Sequence, residues 1–529
     1  MKTLNKQKIA LVIGLNLTIA VAYYLDNLNA NYSELSSDIQ NIIPVAQKFD
    51  NPELFKNDLY VNDINNVKYY TPFYVQTLRF IAKFTNNNYV QAINVLGFIC
   101  HLLFGILWFF LLYKFVNNYW AALLVSVMIR GVVWLPGLEI WGISDLWTIM
   151  PRTVYITLLP IPYLLISKKF QNLVLASFAI GLIFNFHPIT GLGGVLAFIL
   201  FVGLLLKYYS DYRGVFSFSK LLLLITALCL GVLPFVLTYF GKTSAEVTYD
   251  LNAFNEAFII RIPEYFRNPI LFLKQWLSFK SLFFIVPLIC FLIIAVKTKS
   301  DIRKPKILLM LTILLVVIPS LSIPVERAIN STFDMNLRMS FQLIRMQKVA
   351  IIPGFFALAY VLDYLFSKAV PQKVLPVVFA LYMCLLVFSE SDAFTSIPFF
   401  GDDISKSILP HNLSAFTTEK DKELAIDKMA KFIAENTNID DVICGSYILR
   451  GATKRSIIFD GKGTSMLIEG NPKRFMEWQE RLQKINNFKT MDEVINYLKL
   501  FGTDYYVTPN KIEQCELIHT EGKLKLYKL

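Results

Sequence analysis

Eleven runs of apolar residues, each long enough or nearly long enough to cross a bilayer, dominate this chain of 529 residues. They fall at 8–25, 91–113, 119–136, 152–167, 171–186, 190–206, 219–240, 281–296, 307–325, 349–366 and 374–390. A spanning helix needs about 20 mostly apolar residues. Lipid offers no hydrogen-bond partner to an open backbone, so runs of this kind point to a helix bundle. The composition agrees: only 17% of residues are charged, where soluble domains carry about a quarter. A soluble globular enzyme, a disordered chain and a fibrous repeat are excluded. The shorter runs are expected to tilt, or to lean on flanking Tyr and Trp.

Loop charge predicts the orientation, because cytoplasmic loops collect Lys and Arg. Lys2, Lys6 and Lys8 precede the first run. Every second loop from there continues the pattern, through Lys114, Lys168 and Lys169, Lys207, Arg213 and Lys220, a dense group from Lys297 to Lys306, and Lys368 with Lys373. Only Asp211 and Asp301 oppose them. The net charge of +12 therefore follows from membrane topology, and nucleic acid is not an expected partner. The expected partner on this side is membrane lipid, since anionic headgroups attract such loops.

With eleven spans the N-terminus is cytoplasmic and residues 26–90 and 391–529 lie outside. The first run, followed by Asp26 with no small-residue cleavage site, reads as a signal anchor. The predicted organisation is a first helix at 1–25, an extracytoplasmic loop at 26–90, a membrane core at 91–390, a linker at 391–419 and an extracytoplasmic domain at 420–529. In the first loop, Asp50 or Asn51 followed by Pro52 has helix-start chemistry. Residues 269–279 read as an interfacial segment.

In the last domain, apolar residues at helical spacing over 420–437 are followed by strands at 441–446 and 455–459. Helices at 474–486 and 491–501 come next, then strands at 503–508, 514–519 and 523–528. This alternation predicts a small α/β sheet domain. Cys444 and Cys515 fall on its strands, either as a disulfide or as two buried thiols. The chain has no P-loop, HExxH, GxSxG or CxxC, so the usual NTPase, metalloprotease and hydrolase readings lack their parts.

A charged side chain in hydrocarbon is a functional hypothesis in its own right. Arg130, inside the third run, is read as facing a cavity and binding an anion in preference to snorkelling to the outer rim. His101, mid-way along the second, is read as an interhelical hydrogen-bond partner, and Asp363 as reaching water. Just above the bilayer come Asp26, Glu139, Asp145, Arg152, His187 and a later loop with Glu326, Arg327, Arg338, Arg345 and Lys348. A carboxylate can take the proton of an acceptor hydroxyl. Guanidinium groups can hold a phosphate and stabilise it as it leaves. A carboxylate pair can hold Mg²⁺ or Mn²⁺.

In this architecture the chain resembles the GT-C membrane glycosyltransferases, which use polyprenyl-phosphate sugars. The likeness lies in the inside N-terminus, the large first outer loop, the size of the membrane core and the outer C-terminal domain. The family places a catalytic carboxylate in the first loop near the end of the first span, and Asp26 stands there. Tyr69 to Leu78 (Tyr-Tyr-Thr-Pro-Phe-Tyr-Val-Gln-Thr-Leu) is similar to the loop end leading into the second span. Many members carry adjacent acids, whereas here Asn27 follows Asp26 and the next acids are Glu34 and Asp38. The outer domain also resembles that of a group of uncharacterised bacterial multi-pass proteins, through Arg450, the run from Lys454 to Lys462, and Glu477-Trp478-Gln479-Glu480-Arg481. These polar residues could bind an anionic glycan or simply pair with one another at the surface, and ordinary surface pairing is the favoured reading.

The expected fold is thus a polytopic α-helical membrane protein of about eleven spans with a GT-C-like core and an extracytoplasmic α/β domain. The resemblance implies transfer of a sugar from a polyprenyl-phosphate donor to an envelope glycan, lipid or protein at the outer face of a bacterial plasma membrane. Asp26 would be the base. Arg130, Arg152, His187, Arg327 and Arg338 would bind substrate, and Glu139 and Asp145 would orient the donor or a metal, Mg²⁺ or Mn²⁺. Two other readings remain: a transporter or flippase of a lipid-linked solute, and a non-catalytic GT-C-like protein that binds a glycan or a partner.

Overall fold

The computed structural model describes residues 4–130, 148–210, 217–241, 249–277, 281–368, 371, 373–388 and 424–529. Glu139, Asp145 and the predicted linker lie outside them. The chain forms two compact units. The first comprises Met1–Asn27, Val95–Pro234 and Glu264–Glu419, and the second Leu28–Asn94, Phe235–Pro263 and Lys420–Leu529.

The chain is a polytopic helical membrane protein. Six helical stretches are long and apolar enough to cross a membrane: Lys6–Asp26, Tyr89–Val116, Pro188–Tyr208, Phe218–Gly241, Arg303–Phe333 and Ser340–Lys368. Shorter apolar helices occupy Tyr119–Met128, Phe170–Phe184, Phe284–Lys297 and Leu375–Cys384. The predicted run 152–167 is two helices, Pro151–Leu158 and Pro160–Leu165, because Pro160 and Pro162 remove amide donors from a continuous ladder. Residues 269–279 begin with the helix Pro269–Lys274. Phe272 and Trp276 there are buried, while Ile270 and Leu277 are exposed.

Glycines decide how closely the first unit packs. A Cβ on Gly97 would sit 2.1 Å from Tyr23 Cε1, and one on Gly105 would sit 1.7 Å from Asn16 Oδ1. Both glycines lie on the helix Tyr89–Val116 and open a groove for side chains of the helix Lys6–Asp26. Small residues at such crossings allow the close approach that membrane helices use in place of a hydrophobic drive.

The second unit contains a five-stranded sheet in the order β2-β1-β3-β5-β4, built from β1 (Val442–Cys444), β2 (Ser456–Ile457), β3 (Tyr505–Thr508), β4 (Glu516–Glu521) and β5 (Leu524–Lys528). β1 runs parallel to β2 and β3, while β5 runs antiparallel to β3 and β4. Alternate residues face opposite sides of a strand. Ile443, Ile457, Val507 and Leu526 therefore pack with Met429 and Ile433 of the helix Ala425–Asn436. Val442 and Ile458 pack on the other side with Leu498 of the helix Met491–Lys499. Cys444 and Cys515 are free thiols, and burial pushes the Cys444 thiol up to about 12.

Two expectations are overturned in this unit. The first concerns the helix start at Asp50 or Asn51. A helix instead ends there, Ser37–Asp50, and the chain then turns. Asn51 accepts from Glu53 N through its side chain at 3.0 Å, and Lys48 Nζ donates to the carbonyls of Pro52 and Leu54 at 2.6 Å each. Asn51 chemistry thus serves a turn, one of its two common uses.

The second concerns the surface placement of Arg450 alone, since Glu477 and Arg481 do pair as expected. Arg450 is fully buried and joins Asp58 and Asp460, with Nε to Asp58 Oδ2 at 2.7 Å and Nη1 to Asp460 Oδ2 at 2.6 Å. Asp58 accepts further from the amides of Tyr60, Val61 and Ile457. Asp460 accepts from those of Lys462 and Gly463. Asp58 belongs to the first loop, so Arg450 was readable as a surface residue only while its distant partner was unknown.

Candidate functional site

The first unit holds one buried guanidinium, Arg130, and elsewhere a group of buried and half-buried basic side chains. Arg130 follows the helix Tyr119–Met128 and is 3% exposed. Its Nη1 lies 3.2 Å from His101 Nδ1, and its Nη2 donates to the His101 carbonyl at 2.8 Å and to Asn16 Oδ1. Tyr23 stacks on His101 with ring centroids 4.5 Å apart. His101 is therefore an interhelical hydrogen-bond partner, as its sequence position predicts. Among the described residues, Arg130 is held by an imidazole nitrogen, an amide oxygen and a backbone carbonyl, and by no carboxylate.

The group of basic side chains gathers around His187. This residue caps the helix Pro188–Tyr208, and its Nδ1 accepts from Thr190 N at 3.0 Å. With Nδ1 used as an acceptor, the neutral ring carries its proton on Nε2 and presents a donor there. Burial, together with Lys348, Arg152 and Arg345, holds the His187 pKa well below its ordinary value. His187 thus sits near three basic side chains, between spanning helices rather than within one.

Local structure explains the convergence. Arg152 is carried on the first turn of the helix Pro151–Leu158, where Pro151 presets the backbone. Arg345 and Lys348 come from the 3₁₀ segment Ile344–Ile351. Gln347, fully buried between them, accepts from Trp276 Nε1 at 2.8 Å and donates to Ser320 Oγ at 2.6 Å. The Arg345 guanidinium lies over the Phe266 ring at 4.0 Å. A Cβ on Gly193 would stand 2.6 Å from the Met346 carbonyl. A bare backbone at 193 is what lets the 3₁₀ segment reach the His187 helix.

The remaining sequence candidates are placed as follows. Asp26 ends the helix Lys6–Asp26 and is half-buried. Arg327 Nη2 donates to the Arg267 carbonyl at 2.8 Å, and Arg338 Nη1 to that of Leu337 at 2.9 Å. Glu326 accepts from Met339 N, Ser340 N and Ser340 Oγ at 2.6–2.8 Å, which fastens the turn leading to the 3₁₀ segment. Asp363 accepts from Asn118. The structure brings Arg152 and His187 together and adds Arg345 and Lys348, which the sequence offers only as two of several loop cations. Their spacing of three, one 3₁₀ turn, is the local signal that they share a face.

Basic side chains gathered around an imidazole, at the ends of apolar helices, can meet an anionic group. No family model matches the chain, and no curated protein matches it in sequence. Among solved structures it is similar to ArnT from Cupriavidus metallidurans, bound to undecaprenyl phosphate, with 97% of each chain covered, 11% identity and a TM-score of 0.47. It is also similar to the archaeal oligosaccharyltransferase AglB from Archaeoglobus fulgidus, in complex with an inhibitory peptide and a dolichol-phosphate. There 94% of this chain and 69% of that one are covered, with 12% identity and a TM-score of 0.44. These are likenesses of architecture, and the functional reading rests on the side chains.

Proposed function

We propose that the protein is a GT-C-type glycosyltransferase that moves a sugar from a polyprenyl-phosphate donor to an envelope glycan, lipid or protein. The observation that carries this reading is the convergence of Arg152, Arg345 and Lys348 on a neutral His187. In this reading the His187 end of the core faces the outside of a bacterial plasma membrane and the N-terminus is cytoplasmic.

The acceptor hydroxyl gives its proton to the Asp26 carboxylate. Its oxygen forms a bond to the anomeric carbon as the bond from that carbon to the phosphate oxygen breaks. The electron pair of the broken bond leaves with the polyprenyl phosphate, whose added negative charge is met by Arg152, Arg345, Lys348 and the His187 Nε2–H donor. Preorganised donors of this kind act most strongly where charge develops. Arg130 adds positive potential, and Arg327 and Arg338 extend it toward the acceptor side. Glu139 and Asp145 orient the donor. Among the described residues no three His, Cys, Asp or Glu side chains group as a metal site.

The test is titration of a short-chain polyprenyl-phosphate sugar onto the full-length protein in nanodiscs, with and without Mn²⁺. Arg152→Ala or Arg345→Ala is expected to weaken binding about 10- to 100-fold, the loss of one charge-assisted contact. Asp26→Asn is expected to keep binding and to lower transfer about 10²- to 10⁴-fold, the usual share of a general base. Absence of saturable binding by a folded protein overturns the donor assignment.

A further inference from the structure

In the second unit, the helix Tyr74–Ala82 buries Tyr74, Val75, Leu78, Ile81 and Ala82 and leaves Phe80 outside. One turn further on, Phe84 is outside as well. The two residues are 62% and 76% exposed, and their rings meet edge to face with centroids 5.3 Å apart. Lys83, between them in sequence, is exposed too. Five residues after Phe84 the helix Tyr89–Val116 begins. Its 28 residues extend about 42 Å at 1.5 Å each. That matches a bilayer with its headgroups, about 40–45 Å thick. Its first turn therefore stands at headgroup depth.

Hydrogen bonds fix the aromatic pair to that first turn. Asp50 accepts from Arg79 Nε at 2.6 Å and from Tyr89 Oη, which ties the helix Tyr74–Ala82 to the start of the span. Between them the chain makes a closed turn. Asn87 N donates to the Ala82 carbonyl and Asn88 N to that of Thr85, both at 2.9 Å. Asn86 and Asn87 have φ of 53° and 57°, a left-handed conformation that Asn adopts more readily than most residues. The Asn88 side chain caps the span, accepting from Val90 N at 3.0 Å and from Gln91 N at 3.1 Å. Five residues reach at most about 18 Å even when extended. Phe80 and Phe84 are thus held beside the point where the chain enters the membrane.

We propose that Phe80 and Phe84 form an interfacial anchor, seated in the lipid of the leaflet that the helix Tyr89–Val116 enters, which holds the first loop on the bilayer surface. Apolar aromatic rings beside an exposed Lys have the composition of a segment that lies in a membrane surface. The rings take the acyl boundary, and the ammonium of Lys83 reaches back to the phosphates. A protein partner fits less well. Two Phe side chains offer at most about 500 Å² together, short of the roughly 800 Å² that each side of a stable interface buries. The anchor does not depend on any transfer reaction.

Photo-crosslinking of the full-length protein in nanodiscs of phosphatidylcholine and phosphatidylglycerol tests this, with p-benzoylphenylalanine placed in turn at positions 80, 84 and 99. Ile99, 40% exposed on the span itself, is the reference for contact with acyl chains. After irradiation, mass spectrometry is expected to show a phospholipid added at positions 80 and 84 as at 99. A covalent pair of protein chains formed from position 80 or 84 overturns the proposal in favour of a second copy. Lipid addition at 99 with none at 80 or 84 also overturns it, since the rings then face water. The double variant Phe80→Ser with Phe84→Ser separates anchoring from mere contact. It should speed hydrogen exchange of the amides at 84, 85, 87 and 88 about tenfold in nanodiscs, the equivalent of one buried ring lost, with an unchanged thermal midpoint. Unchanged exchange overturns the anchoring role.

Discussion

Arg130 in the first unit and Arg450 in the second are both buried guanidinium groups, 3% and 0% exposed, yet their surroundings differ in kind. Arg450 is clamped by two carboxylates that are themselves held by backbone amides. Arg130 is held, among the described residues, by an amide oxygen, an imidazole and a carbonyl. A cation closed off by buried carboxylates is a structural pin, since its charge is spent. A cation held only by neutral acceptors keeps its positive potential, which extends to whatever anion approaches. The two guanidinium groups thus differ in whether a carboxylate answers them among the described residues.

The largest expected effect comes from breaking the pin. Arg450→Met leaves Asp58 and Asp460 buried without their cation and should cost about 3–5 kcal/mol. Thermal unfolding and limited proteolysis of the intact protein would read this as early loss of the C-terminal segments. Asp58→Ala should behave alike, because it removes the acceptor of three amides as well as the ion pair.

Arg130→Met sharpens the contrast. No described carboxylate is orphaned, only Asn16 and His101, so the loss should stay near 1–2 kcal/mol while donor binding weakens. A destabilisation equal to that of Arg450→Met would show that Arg130 also answers a carboxylate, and the comparison would fail. Gly193→Ala is expected to leave the second unit untouched. The Cβ would push the 3₁₀ segment from the His187 helix, lowering donor affinity with little change in the midpoint of thermal unfolding.

The smallest effect is a pH dependence in the second unit. Glu469 accepts from Tyr239 Oη at 2.7 Å and from Tyr69 Oη. Burial raises its pKa, an effect only partly offset by those two donors and Lys68. A folded-state carboxyl that keeps its proton longer than the unfolded one binds more protons than the unfolded chain between the two pKa values. Stability from this group therefore falls as pH rises above the ordinary carboxylate range. Glu469→Gln should flatten that slope, measured as unfolding midpoints between acid and neutral pH. An unchanged slope would show that the carboxyl ionises freely.

What was legible in advance follows from periodicity. Apolar runs declared the membrane helices because lipid leaves the backbone no alternative partner. Val442 and Ile443, or Ile457 and Ile458, were legible as strand residues, because a sheet buried on both faces makes consecutive positions apolar. The turn after Asp50 was misread, since Asn followed by Pro suits a helix start and a chain reversal equally. Arg450 was misread for a different reason. Its partners lie near residue 58 and at residue 460, and no local pattern reports a contact made across most of the chain.

The sequence by itself determined that this chain lives in a membrane, that it is mainly helical, and that a small α/β sheet closes it. Those properties are set by hydrophobicity and by repeats of two and 3.6 residues, which act over a few neighbours. Only the tertiary structure decided which charged groups come together. Arg152, His187, Arg345 and Lys348 come from three separate segments. A charged group answers to whatever lies within a few ångströms in space, so the helix packing at Gly105 and Gly193, and not the order of residues, set what Arg130 and the His187 cluster stand beside.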